Sequence, residues 1–151
     1  FTMSLAHAIA SGCEVEKLYQ NIKQWAADLA VDPVLMDAIH EAAEAPPADY
    51  VQQQGWVLIA FRNALWQLLN APNFEAGVVD TVMRGGDTDT NAAICGALLG
   101  AVYGMDAIPA QWVERVLNCR PQAGHPGVNH PRPECFWPVD ALELANRLIQ
   151  N

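Results

Sequence analysis

Asp87, Asp89 and Thr90 place two carboxylates and a hydroxyl within four residues, directly after the glycine pair Gly85-Gly86. Hard oxygen donors at this density are the ligand chemistry of magnesium or manganese. In a continuous helix the two aspartates would point roughly 200° apart, so both carboxylates reach one ion only if a turn precedes them. Gly85 and Gly86 can form that turn, because they adopt positive φ and let a ligand approach the backbone. Thr90 falls three residues after Asp87, on the same face. An EF-hand calcium loop does not fit: with Asp87 as its first position, Ala92 stands where the glycine belongs and Leu98 where the bidentate glutamate belongs. A structural reading stands beside the metal one. Asp87 or Thr88 could cap a helix, Asp89 could answer its dipole, and the glycines could end the preceding helix.

Two other sets of side chains could do chemistry. Cys119, His125, His130 and Cys135 carry zinc-ligand chemistry, but their gaps match no known finger. Arg120, His125, His130 and Arg132 gather cationic groups on a long proline-rich connection, and loops of this length are either functional or plain surface coil. Cys13, Cys95, Cys119 and Cys135 show no C-x-x-C spacing, which predicts reduced thiols in a cytoplasmic protein.

A chain of 151 residues, 52% of them hydrophobic, has length and composition for one globular domain. Its net charge of −9 disfavours nucleic acid and anionic membrane as partners. The apolar run from Ala92 to Met105 is shorter than the roughly twenty residues that span a bilayer, and it reads as a buried helix. The chain opens on Phe1-Thr2-Met3-Ser4 without a basic segment, so no signal peptide is predicted and the start reads as a point inside a larger protein.

Helices are expected throughout and no strand. Residues 1–11 stop at Gly12. In residues 14–30, Leu18, Tyr19, Ile22, Trp25, Ala26 and Leu29 recur at spacings of three and four, predicting one buried stripe. Asp32-Pro33 should cap and open a helix running to about Ala45, closed by Pro46-Pro47. After a polar connection from Ala48 to Gln54, Gly55-Trp56-Val57 starts a helix to about Asn70, with Trp66 in the core and Trp56 as either a staple or the wall for a flat ligand. Asn73 should cap residues 74–84. The central helix runs from Thr88 or Asp89 to Tyr103. Its Ala92, Gly96, Gly100 and Gly104 repeat every four residues, which predicts close backbone approach by neighbouring helices. A helix from Pro109 to about Cys119 follows. The last helix starts at Pro138, with Val139, Leu142, Leu144, Leu148 and Ile149 placed to pack back on the core.

Arg84-Gly85-Gly86-Asp87-Thr88-Asp89-Thr90-Asn91-Ala92-Ala93, continued by Gly96-Ala97-Leu98-Leu99-Gly100-Ala101 and Tyr103-Gly104, closely resembles the C-terminal signature of the ADP-ribosylglycohydrolase family, the DraG-like ADP-ribosyl hydrolases. The resemblance extends to Gly55-Trp56-Val57, Ala64-Leu65-Trp66, Ile108-Pro109 and Trp137-Pro138-Val139-Asp140-Ala141-Leu142. It implies an all-α fold, with residues 1–151 as a single helical domain forming the C-terminal portion of a larger enzyme. It also implies two Mg2+ or Mn2+ ions, an ADP-ribosylated substrate, and hydrolysis at the anomeric carbon of ADP-ribose. By position, Asp87, Asp89 and Thr90 match the family's C-terminal metal ligands, and Gly55, Trp56, Gly85 and Gly86 are the substrate-binding positions. The family's Thr-Asp-Asp motif, its glycine-rich Gly-Asp segment and its acidic catalytic residue have no counterpart in these 151 residues. The catalytic residue and the remaining ligands are therefore expected from an N-terminal half, in cis or in trans, or from a homodimer partner. A catalytically incomplete fragment acting as a binding or assembly module is the alternative.

Overall fold

The computed structural model describes residues 1–149, and among them every regular element is helical. The all-α fold follows from the three-and-four spacing of apolar residues and from good caps. The chain divides into two compact units, Phe1–Ala107 and a second from Ile108 onward.

The first unit holds six helices: α1 (Thr2–Ser11), α2 (Val15–Asp28), α3 (Pro33–Glu41), α4 (Val57–Asn70), α5 (Phe74–Met83) and α6 (Thr88–Tyr103). α6 is central, packing on α1, α4 and α5. Its Cys95, Leu98 and Leu99 are fully buried, as are Leu65 and Leu68 of α4. α2 buries Leu18, Tyr19, Ile22 and Ala26 as its spacing predicts, with the Tyr19 hydroxyl donating to the Ile39 carbonyl at 2.8 Å. Leu29 lies past the end of α2 and is exposed, while Trp25 sets its ring edge-on to His7 instead of entering the core. Trp66 is likewise only half-buried.

α3 stops at Glu41, before the proline pair, so the proline signal marks the end of the following turn rather than of the helix. Two caps match their sequence signals: Asp32 accepts from the Val34 N–H at 2.9 Å and Asn73 from the Ala76 N–H at 2.8 Å.

The glycine row of α6 behaves differently from the close backbone approach that its spacing predicts. Gly96 and Gly100 face the Phe74 ring, where an added Cβ would lie at ordinary contact distance, 3.9 and 3.7 Å. Side chains of α5, the Phe74 ring over both and Val78 Cγ2 at 3.8 Å over Gly96, fill the space above them, not a neighbouring backbone. Gly104 is the end of the helix. The tight glycine within a helix is Gly77 of α5, whose added Cβ would meet Leu99 Cδ1 at 2.5 Å.

The second unit contains α7 (Ala110–Leu117), 3-10 turns at Glu134–Phe136 and Pro138–Asp140, and α8 (Ala141–Ile149). The proline-rich connection is tied to itself: the Arg132 N–H donates to the Pro121 carbonyl at 2.8 Å, and Trp137 Nε1 donates to the Arg132 carbonyl at 2.9 Å. α8 begins after the Pro138–Asp140 turn rather than at Pro138, and Leu142, Leu144, Leu148 and Ile149 are exposed instead of buried. Within its own unit α8 leans on that short turn, which is too small to cover an apolar row. No helix among the described residues is long and apolar enough to cross a membrane.

Candidate functional site

The Gly-Gly-Asp turn joins α5 to α6 and is held from beneath by a polar network. Gly86 packs on the backbone of Tyr50, and a Cβ there would lie 1.8 Å from the Tyr50 carbonyl oxygen. The Tyr50 hydroxyl donates to Asn63 Oδ1 at 2.8 Å, Asn63 Nδ2 donates to Thr81 Oγ1 at 2.9 Å, and Thr81 donates to the Gly77 carbonyl at 2.8 Å. Tyr50, Asn63 and Thr81 are all buried, so these polar groups satisfy one another out of reach of water. Arg84 closes the arrangement. Its Nε donates to Asp80 Oδ2 at 2.6 Å, its guanidinium lies 5.6 Å from the centre of the Tyr50 ring, and Gln67 also donates to Asp80. Gly85 and Gly86 take φ of +80° and +72°, the left-handed conformations that the turn requires.

Above this support, Asp87 stands at the N-cap position of α6 with φ −78° and ψ 72°, outside helical geometry. Its carboxylate therefore escapes the helical rotation that would carry it away from Asp89, and both aspartates line one recess. The Asp87 side chain beside it, with the Thr90 N–H donating to Asp89 Oδ1 at 2.9 Å, holds the Asp89 carboxyl below the usual carboxylate range. Asp87 makes no side-chain capping bond, unlike Asp32 and Asn73. The structural reading of the turn thus accounts for the position of Asp87 but not for its carboxylate.

Asp87, Thr88 and Asp89 line a shallow depression with Gln54, Gly55 and Gly86. Thr90 is exposed one position beyond it, Gly85 lies beside Val51, and Trp56 borders a separate groove lined by α3 and α4. The structure therefore gathers Gly55, Gly86, Asp87 and Asp89, with Thr88 as an addition, and sets Gly85, Thr90 and Trp56 around them.

The donor set fits a hard cation in kind, being all oxygen, but it is partial. Among the described residues no group of three or more His, Cys, Asp or Glu side chains could hold a metal. Cys119, His125, His130 and Cys135 are likewise not gathered into such a group.

The ADP-ribosylglycohydrolase family matches residues 1–150. The chain belongs to this family. Similar relatives include an ADP-ribosylarginine hydrolase of Pseudomonas putida, 35% identical over 45% of this chain and 18% of the relative. The ADP-ribosyl-(dinitrogen reductase) glycohydrolase of Rhodospirillum rubrum is 32% identical over 43% of this chain and 22% of its own length. The ADP-ribosylhydrolase ARH3 of Homo sapiens is 49% identical over 26% of this chain and 11% of its own. The matched stretches thus span about a fifth or less of these relatives. No solved structure matches.

The Tyr50–Asn63–Thr81 support was not legible as such in the sequence, where residues 48–54 read as a polar connection. The one available signal was a lone aromatic, Tyr50, in that polar stretch.

Proposed function

We propose that this chain supplies part of the site of a metal-dependent hydrolase that removes ADP-ribose from an ADP-ribosylated protein side chain or small molecule. In this reaction the bond from the anomeric carbon to the acceptor breaks, water gives its hydroxyl to that carbon, and the acceptor takes the proton. The observation that carries the reading is that Asp87 and Asp89 line one depression and that Asp87, at the N-cap position, makes no side-chain capping bond. Family membership supplies the reaction class.

Asp87 and Asp89 would hold one side of a dinuclear Mg2+ or Mn2+ centre through carboxylate oxygens, with the Thr90 hydroxyl as a third donor. When bound, such cations polarise water and offset diphosphate charge. Gly86 and Gly55 leave open the floor on which the ribose and diphosphate would lie, Gly85 keeps the turn free of side chain, and Trp56 stands in the adjoining groove, on the acceptor side of the substrate. The acidic catalytic residue and the remaining ligands come from an N-terminal half, in cis or in trans, or from a second copy. The reading sets the protein in the cytoplasm, where its four free cysteines stay reduced.

A second reading, an incomplete family member serving as a binding or assembly module, draws on the small number of ligands that the turn brings together. Release of ADP-ribose from ADP-ribosyl-arginine and ADP-ribosyl-serine peptides separates the two. The hydrolase gives chelator-sensitive release, alone or with the N-terminal half added, and loses it in Asp87→Asn; the module gives none with either.

A further inference from the structure

The groove bordered by Trp56 is not needed to hold metal. Its volume is about 440 Å3, within the roughly 300–1,000 Å3 of small-ligand sites. One wall is the face of α3 that presents Asp37, Ala38 and Glu41; opposite it, α4 contributes Leu58, Ile59 and Arg62. Asp49 and the half-exposed Trp56 stand at the rim.

Charge decides what this groove can take. It carries three carboxylates and one guanidinium. Arg62 is already committed, paired with Glu41 and donating through Nε and Nη2 to the Ala45 carbonyl at 3.2 and 3.1 Å. Asp37 and Asp49 have no cation of this chain as partner among the described residues. Asp49 Oδ1 accepts from the Val51 and Gln52 N–H groups at 2.7 and 3.1 Å, which fixes the carboxylate at the rim. A diphosphate would meet net repulsion there, whereas an apolar floor, an exposed indole and two unanswered carboxylates suit a cation on an aliphatic stem.

The groove also adjoins the depression. Gln53 and Trp56 line the one, Gln54 and Gly55 the other, and the Trp56 N–H donates to the Gln53 carbonyl at 2.8 Å to close the turn between them. We propose that the groove is a subsite for a lysine or arginine side chain of the acceptor protein, flanking the residue that carries ADP-ribose. The flanking role rests on the hydrolase reading; capture of a cation does not. The stem lies on Ala38, Leu58 and Ile59, and the head sits between the Trp56 ring and the carboxylates of Asp37 and Asp49. Such a subsite favours modified residues in basic sequences.

Calorimetric titration of the chain with a capped pentapeptide carrying one arginine, and with its neutral citrulline counterpart, tests this. The arginine peptide should bind about tenfold more tightly, a preference lost on adding salt and in the Asp37→Asn/Asp49→Asn double variant. Asparagine retains the oxygen that receives the loop N–H groups, so the double variant keeps the loop. Asp87→Asn should keep the arginine preference while losing Mn2+ binding. Absence of Mn2+ binding in the unaltered chain, with the arginine preference intact, would count against the hydrolase reading and not against the cation subsite. Equal binding of the two peptides, no binding of either, or displacement of the arginine peptide by adenosine monophosphate overturns the subsite, the last result making the groove a base pocket.

Discussion

Gly86 stands against the backbone of Tyr50 so closely that a single added carbon would lie 1.8 Å from the Tyr50 carbonyl oxygen. Neither backbone can yield cheaply, and φ at Gly86 is +72°. Gly85, at φ +80°, has only Val51 Cγ2 at 4.0 Å from its added Cβ. Gly85→Ala should therefore cost only the left-handed conformation, about 1–2 kcal/mol, while Gly86→Ala should cost more than about 3 kcal/mol by adding a clash with fixed backbone. Urea denaturation of the two variants measures the difference, and equal costs would mean that the turn relaxes away from Tyr50.

Asn63 joins Tyr50 to Thr81, so its amide serves two buried hydroxyls. Asn63→Leu should destabilise the protein by about 2–4 kcal/mol, because both partners lose their bond while out of water. Tyr50→Phe removes one partner only and should cost about 1–2 kcal/mol. A double variant close to the sum of the two would argue against coupling through this network.

Burial pushes the Tyr50 hydroxyl up to about 12 and the Cys95 thiol up to about 11. Both groups ionise earlier in the unfolded chain, near about 10 and 8.5. Their contribution to stability is complete below those values and is lost as the unfolded chain releases protons, from about pH 8.5 to 11 for Cys95 and from about pH 10 to 12 for Tyr50. Stability should thus fall across this alkaline range. Tyr50→Phe should flatten the upper part and Cys95→Ala the lower part in urea titrations at stepped pH, and an unchanged slope in both variants would contradict the assignment.

Asn73 and Asp87 both occupy helix N-cap positions, but only Asn73 bonds the helix backbone through its side chain. Asn73→Ala should cost about 1 kcal/mol. Asp87→Ala should cost less than half as much, since no side-chain capping bond is lost. A full capping loss at Asp87 would restore the structural reading of the turn.

Sequence periodicity carried most of the fold, since α1, α2, α4, α5 and α6 lie within a residue or two of the apolar and cap signals that predicted them. That Asp87 and Asp89 can face one recess was also legible, because a glycine turn frees one aspartate from helical rotation. What escaped were relations across long stretches of chain. Tyr50, Asn63 and Thr81 meet from a loop and two helices, and no local pattern marks a tyrosine in a polar stretch as buried. The partner of Gly96 and Gly100 was hidden for the same reason: the spacing shows small residues, but not whether a backbone or the Phe74 ring lies over them. Trp56 and Gly55 are neighbours in sequence but face different recesses, since the turn from Gln53 to Trp56 separates the groove from the depression.

The most direct test is calorimetric titration of the chain, alone and with the N-terminal half added, with ADP-ribose, with Mn2+ present and then with a chelator. Binding that needs Mn2+ and disappears in the Asp87→Asn/Asp89→Asn double variant is the predicted result. Binding of equal strength in chelator, or in the double variant, would contradict the assignment of Asp87 and Asp89 as the metal-bearing pair of an ADP-ribose site.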